Sequence, residues 1–301
     1  MTDYFFGIEI EVRVNPHTVR NPLQEKHALY YEKLAAALRN RGLKSKADDL
    51  QHRHIRHPEH YDKWWITKDG SLGNPENLIP MEAVSPVLDC RANWEDEIDT
   101  FWSAMSAVFH MPERTARCGS HIHVSRGRRK TFPLSQLKKI AFGIVLYEPL
   151  ILKLLMANRV DNPYCKPNTK SSNYLRQCDG WTAKAWLINN ASSTERLRDI
   201  MQSDRYVLWN FDNVVPGKSG TIEFRGGRCL RGKVRTKRWI AFTIALIHAL
   251  ISMDDISNPC RHSLANWSPK GLYEAVKKHA AQLSMRDLLP NDYEVMNETS
   301  G

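Results

Sequence analysis

The chain has 301 residues, 42% hydrophobic and 25% charged, proportions that argue against wholesale disorder and against a membrane-spanning bundle. Its formal net charge is +10, and it is unevenly placed. Residues 126–139 hold six Lys or Arg and no acid, and residues 204–238 hold nine against three acids, so each stretch is +6. A basic field this localised implies an anionic partner: nucleic acid, a nucleotide triphosphate or an acidic substrate.

Taken in order, residues 3–13 read as a strand, with Phe6, Ile8, Ile10 and Val12 alternating against Gly7, Glu9, Glu11 and Arg13. A helix follows within 22–42, with Tyr31, Leu34, Ala35 and Leu38 at helical spacing and Gly42 as its stop. Residues 44–62 are polar and histidine-bearing, which predicts a loop. Short strands are expected at 63–68, ending in the turn Asp69-Gly70-Ser71, and at 80–84. Residues 93–109 form a helix with Ile98, Phe101, Trp102, Met105 and Phe109 on one face. A strand at 117–125 precedes a long helix at 135–157, with a kink expected at Pro149.

Residues 160–180 read as irregular and 182–201 as partly helical. Strands are expected at 206–211 and 220–225, an apolar helix at 237–252, and a last helix opened by Ser268-Pro269. No Gly/Ser linker and no repeat is visible. The expectation is one α+β domain over 1–301, with a polar insertion near 44–62 and a helical extension near 253–301. The apolar run 239–251 is too short to span a bilayer. The N-terminus lacks a basic region before an apolar one, so no signal peptide is read. Six cysteines are scattered without a CxxC, which disfavours a disulfide framework or a cysteine zinc site. A cytoplasmic location is therefore expected.

Three strands share an unusual design. Glu9 and Glu11 fall on one face, opposite Ile8 and Ile10. His121, His123 and Ser125 fall opposite Ile122 and Val124. Glu223 and Arg225 fall opposite Ile222 and Phe224. Each strand alone is an ordinary sheet with one solvated face. Together, and with Glu82 of Met81-Glu82-Ala83-Val84-Ser85-Pro86, they gather four carboxylates whose repulsion divalent cations would relieve.

The ordered set FGIEIEV, WITKDGSL, MEAVSPVL, CGSHIHVS, NRVDNPYC and RYVLWN…GTIEFRGG resembles the amidoligase family, over about residues 6–250. That family falls in the carboxylate–amine ligase group, with glutamine synthetase and glutamate–cysteine ligase. The resemblance implies a curved antiparallel sheet, a half-barrel with helices on its convex side, whose concave face holds ATP and Mg²⁺ or Mn²⁺. It implies amide formation from a carboxylate and an amine through an acyl phosphate.

Residue by residue, it implies metal ligation by Glu9, Glu11, Glu82, His121 and Glu223. His123, Ser125 and Arg228 would face ATP. Arg225 and Arg205 would grip the transferring phosphate, and Asp69 would hold the amine. Arg159, Tyr164 and Asn210 would line the substrate site. A histidine ligand suits Mn²⁺ better than Mg²⁺, or His121 donates to a phosphate instead.

Other readings compete. The basic segments 126–139 and 225–238, with the run Arg225-Gly226-Gly227-Arg228, suggest nucleic-acid binding, although interleaved aromatics are missing there. A non-heme metal enzyme also uses HxH, but wants a glutamate where Gly127 and Arg128 stand. Gly217-Lys218-Ser219 is not a P-loop, because Asp212 occupies the required glycine position. His52, His54, His57 and His60 read as a solvated insertion, with a second metal site as the sharper alternative. Cys118 reads as a packed thiol, and Glu148 either supports the site or lines the Pro149 kink.

Overall fold

The computed structural model describes residues 3–18, 27–48, 61–113, 115–160, 162–252 and 267–297. The histidines at 52–60 lie outside them. In chain order the elements are β1 (Phe5–Val14), α1 (His27–Arg39), β2 (Ser45–Ala47), β3 (Trp64–Thr67), β4 (Ile79–Val84), β5 (Leu88–Asp89), α2 (Trp94–Val108), β6 (Gly119–Ser125) and α3 (Leu134–Leu154). Then come α4 (Ala157–Val160), α5 (Asn168–Ser171), α6 (Gly180–Asn189), α7 (Thr194–Met201), β7 (Trp209–Asn210), β8 (Ile222–Arg228), α8 (Lys233–Ile251) and α9 (Pro269–Gln282).

The strands form one open sheet in the order β2-β3-β4-β1-β6-β8-β7, with β5 also on β1. The pairs β1–β4, β1–β5, β3–β4 and β7–β8 are antiparallel, and β2–β3 is parallel. This is the mixed, mostly antiparallel α+β class expected. Chain contacts divide it into two compact units, Asp3–Ile122 with Gly227–Lys237, and His123–Gly226 with Arg238–Gly301.

In the first unit the alternation of β1 buries Phe6, Ile8, Ile10, Val12 and Val14. Helix α1 lays Tyr30, Tyr31, Leu34, Ala35 and Leu38 into the core, and α2 adds Ile98, Phe101 and Met105. The Trp64 and Phe101 rings stack at 4.2 Å. Apolar burial at about 25 cal/mol per Å² is the term that holds these layers together.

Two boundaries differ here. Residues 44–62 were expected as a loop, but Ser45–Ala47 is a strand whose register pairs Ser45 with Trp64 and Ala47 with Ile66. Three residues are too few to show a period; β2 forms because the backbone of β3 lies beside it and Ser45 Oγ donates to the Ala35 carbonyl at 2.6 Å. Helix α8 begins at Lys233, four residues before the expected start, and Lys233 and Lys237 pair with Asp99 at 3.2 and 2.9 Å.

In the second unit α3 runs through Pro149 to Leu154. Gly143 lets this helix close on α8: a Cβ there would lie 2.4 Å from Leu250 Cδ2. The expected strand at 206–211 contracts to Trp209–Asn210, Val207 making only an isolated bridge to Lys166. Strand β8 runs three residues beyond its expected end.

Glu148 is 2% exposed on α3, and its carboxylate accepts from the Thr169 backbone N–H at 3.2 Å and from the Thr169 hydroxyl. The neighbouring Asn168 donates from Nδ2 to the Trp209 carbonyl at 2.8 Å and accepts from the Trp209 N–H at 3.0 Å. Glu148 thus anchors α5, and α5 anchors β7. Burial pushes the Glu148 carboxyl up from the ordinary 4.5, with the Thr169 donors pulling it down less strongly. As pH rises through 4.5 an unfolded Glu148 ionises while the folded one keeps its proton, so stability falls until the folded group ionises too. In urea unfolding, wild type should lose stability relative to Glu148→Gln as pH rises through the ordinary carboxylate range near 4.5. Glu148→Ala should cost about 2 kcal/mol, since the Thr169 donors lose their acceptor. Parallel pH profiles for wild type and Glu148→Gln would contradict this account.

Candidate active site

The pleat of β1 projects Glu9, Glu11 and Arg13 to one face, as the alternation requires. The β1–β4 register then sets Glu11 directly opposite Glu82. Asp69 joins them: one carboxylate oxygen from each of Glu11, Asp69 and Glu82 lies within 4.8 Å of the others. Like charges opposed across a ladder destabilise it. Two unit charges about 4 Å apart repel by about 4 kcal/mol at an effective dielectric near 20.

The fold supplies some donors of its own. Glu11 is 5% exposed, and its Oε2 accepts from the Gly119 N–H at 2.7 Å. The buried His121 ring lies against both β1 acids, Nδ1 at 2.8 Å from Glu9 Oε2 and Nε2 at 3.6 Å from Glu11 Oε1. These donors serve Glu9 and Glu11. Oxygen donors with a histidine beside them fit a hard divalent cation, Mg²⁺ or Mn²⁺.

Asp69 reaches this group through a turn. Its Oδ1 accepts from the Ser71 N–H at 2.5 Å, capping the single 3₁₀ turn Gly70–Leu72. Arg13 straps that turn to β1, its Nε donating to the Leu72 carbonyl at 3.0 Å with Nη2 on the same oxygen. Asp69, the residue expected to hold an amine, stands beside Glu11 and Glu82. Arg13 was legible only as a member of the β1 face. Tyr61 was hidden in the presumed loop. It is a non-glycine residue at φ 42°, its carbonyl accepting from the Val87 N–H at 2.8 Å. Burial first, then the charges of Glu9 and Glu82, push its phenol up from the ordinary range, so it stays a proton donor. Such backbone strain concentrates at functional sites.

Cys118 is buried in a cluster with Leu72 and Cys229, and a hydrogen bond to Cys229 with burial pushes its thiol up. The packed-thiol reading fits. Arg228 is also buried, and its carbonyl accepts from Ser120 Oγ at 3.1 Å. A Cβ on Gly227 would lie 2.1 Å from that hydroxyl, and one on Gly226 2.7 Å from Leu208 Cδ1. The Gly-Gly of the RGG-like run therefore serves close strand packing.

The second unit gathers a different set. The β7–β8 register pairs Asn210 with Glu223, and Asn210 Nδ2 donates to Glu223 Oε2 at 2.7 Å. Gln202, unforeseen, orients that amide by donating to Asn210 Oδ1 at 2.7 Å, while its own Oε1 accepts from the Phe211 N–H at 2.6 Å. His123 Nε2 lies 4.0 Å from Glu223 Oε1, and Nδ1 lies 3.3 Å from Thr221 Oγ1.

Arg225 pairs with Glu223 Oε1 at 2.5 Å and donates from Nε to the Tyr164 carbonyl at 3.1 Å. Arg159 is buried, with Nη2 donating to the Arg225 carbonyl at 2.6 Å. Tyr164 presents its ring edge-on to Tyr206 at 5.6 Å, and exposed Arg205 lies over the Tyr206 ring at 5.2 Å. Ser125 is buried, its hydroxyl donating to the Gly127 carbonyl.

Glu9, Glu11, Glu82, His121 and Asp69 thus meet within the first unit, and Glu223, Arg225, His123, Asn210, Arg159 and Tyr164 within the second. A family model described as "putative amidoligase enzyme" matches residues 2–247. No curated protein matches the chain.

The strap on the Asp69 turn gives a prediction. Arg13→Gln should leave β1 paired but loosen the turn. Mn²⁺ affinity, read by titration of the paramagnetic signal, should fall about tenfold or more, the usual effect of losing a support for a ligand. Unchanged affinity would remove Arg13 and its turn from the site.

Proposed function

The chain belongs to the amidoligase family, and on that premise we propose that it is an ATP-dependent ligase joining a carboxylate to an amine. The observation that carries the reading is the approach of Glu11, Asp69 and Glu82 to within 4.8 Å. Glu9, Glu11, Asp69, Glu82 and His121 would hold Mg²⁺ or Mn²⁺, whose bound charge offsets that of phosphate oxygens.

In this reading a substrate carboxylate oxygen attacks the γ-phosphorus of ATP, releasing ADP and leaving an acyl phosphate. The amine nitrogen then attacks the acyl carbon, inorganic phosphate departs, and the nitrogen gives up a proton as the amide forms. Glu223, held by Asn210, and His123 form the second acidic group. Arg225 is the phosphate-facing cation of that group. Its fork rests on Glu223 and would turn a bidentate face to the transferring oxygens, where charge develops. The reading includes the half-barrel curvature of the wider ligase group, supported by the open, mostly antiparallel sheet. The free thiols of Cys90, Cys118, Cys165, Cys178 and Cys229 suit a reducing cytoplasm.

Nucleic-acid binding through 225–238 is the weaker reading. Arg228 is buried, and the two glycines fill tight backbone contacts.

Melting with and without Mg-ATP should show a rise in apparent stability with the ligand. Release of ADP and phosphate, screened over panels of acids and amines, should then find the substrates. Arg225→Lys keeps the charge and loses the fork, so it should melt nearly normally and turn over about a hundredfold more slowly. A lowered melting temperature with turnover per folded molecule preserved would make the Glu223–Arg225 pair structural. No shift with any metal–ATP combination would remove the ligase reading itself.

A further inference from the structure

We propose that a cationic turn of the second unit binds an acidic substrate chain, a peptide or similar molecule bearing several carboxylates. The inference deepens the ligase reading and rests on it, because it names the class of substrate.

The turn follows β6 directly. Gly127 and Lys130 bridge each other; the Lys130 N–H donates to the Gly127 carbonyl at 3.1 Å and the Arg126 N–H to the Lys130 carbonyl at 3.2 Å. Ser125 Oγ donates to the same Gly127 carbonyl at 2.9 Å. These bonds hold Arg128 and Arg129 at the tip. Arg128, Arg129 and Lys130 are all exposed.

A second loop brings another cation. A Cβ on Gly220 would lie 2.8 Å from the Thr131 nitrogen and 2.9 Å from the Lys130 carbonyl carbon, so the loop that ends at Gly220 touches the turn there. Exposed Lys218 belongs to that loop. Neither 125–134 nor 215–222 contains an aspartate or glutamate. Five cations, with Arg126, therefore stand on two adjoining segments that contain no acid of their own.

The second segment leads into the candidate site. Ser219 Oγ lies 3.1 Å from Thr221 Oγ1, which lies 3.3 Å from His123 Nδ1. An anionic chain held by the turn would thus reach the His123–Glu223 group. Such a field raises the local concentration of a carboxylate-bearing ligand.

Two features favour an acidic chain over nucleic acid. Phe132 is the one aromatic in these two segments, and it is 1% exposed, so no ring is offered for base stacking. Arg129 stands at φ 58°, in the left-handed region where glycine is unstrained. An arginine there points to a use for the charge.

The strain gives a clean test. Arg129→Gly relieves it, so the variant should melt at or above wild type. Binding of a labelled hexaglutamate peptide to the full chain, without ATP, is read by fluorescence anisotropy. Wild type should bind, more weakly as salt rises from about 50 to about 200 mM, and should ignore hexaglutamine. Arg129→Gly should weaken binding about threefold or more, and the triple variant Arg128→Gln, Lys130→Gln, Lys218→Gln about tenfold or more. Equal affinity of wild type and Arg129→Gly for hexaglutamate would overturn the proposal. So would a single-stranded oligonucleotide of matched charge binding tenfold tighter than the peptide. Since no ATP is present, either result leaves the ligase reading to stand or fall on ADP release.

Discussion

The constraint on which the first unit depends is the facing pair of Glu11 and Glu82. An antiparallel register admits no adjustment: a slip of one residue would send Glu11 into the core and Ile10 out of it. The register is held by the apolar face of β1 and by Ser85 Oγ, which accepts from the Ile8 N–H at 2.9 Å. The acids are thus forced together by the same packing that makes the strand. Asp69 is brought to the group by a guanidinium on a carbonyl rather than by sheet register. A fold that concentrates carboxylates in this way pays a repulsion that a bound cation would relieve.

The second unit solves the opposite problem. Glu223 is buried, yet each carboxylate oxygen has a donor, Asn210 on one and Arg225 on the other. The support extends outward from Glu223 through Asn210 and β7 to α5 and the buried Glu148. A buried carboxylate so fully engaged is fixed in place. The first unit therefore gathers several acids at one place, and the second carries a balanced pair whose arginine can be recruited.

Much of this was legible in the sequence. Period-two alternation gave the faces of β1, β6 and β8, and the acids and histidines stood out because they occupied positions where neutral polar residues are usual. What was not legible depends on contacts between distant segments. The Arg13 to Leu72 strap joins residues 59 apart, and nothing local marks it. Tyr61 and β2 sat in a stretch whose polarity suggested a loop. Gln202 is an ordinary helix-end residue until its amide meets Asn210. Arg225 and Glu223, two apart on one strand face, were recognised together, but the Tyr164 carbonyl on the guanidinium and the Asn210 amide on Glu223 come from other segments. The RGG-like run shows the reverse: its two glycines fill close strand contacts that no sequence pattern announces.

The central claim is that the carboxylates of the first unit repel one another and are reconciled by a divalent cation. Thermal melting of wild type and Glu82→Gln, each with chelator and with saturating Mn²⁺, tests it most directly. Removing one charge should make the metal-free variant melt above metal-free wild type by about 2 °C or more. Mn²⁺ should raise the wild-type transition and move that of Glu82→Gln much less. A metal-free Glu82→Gln that melts below wild type, together with an undiminished Mn²⁺ shift, would contradict the account.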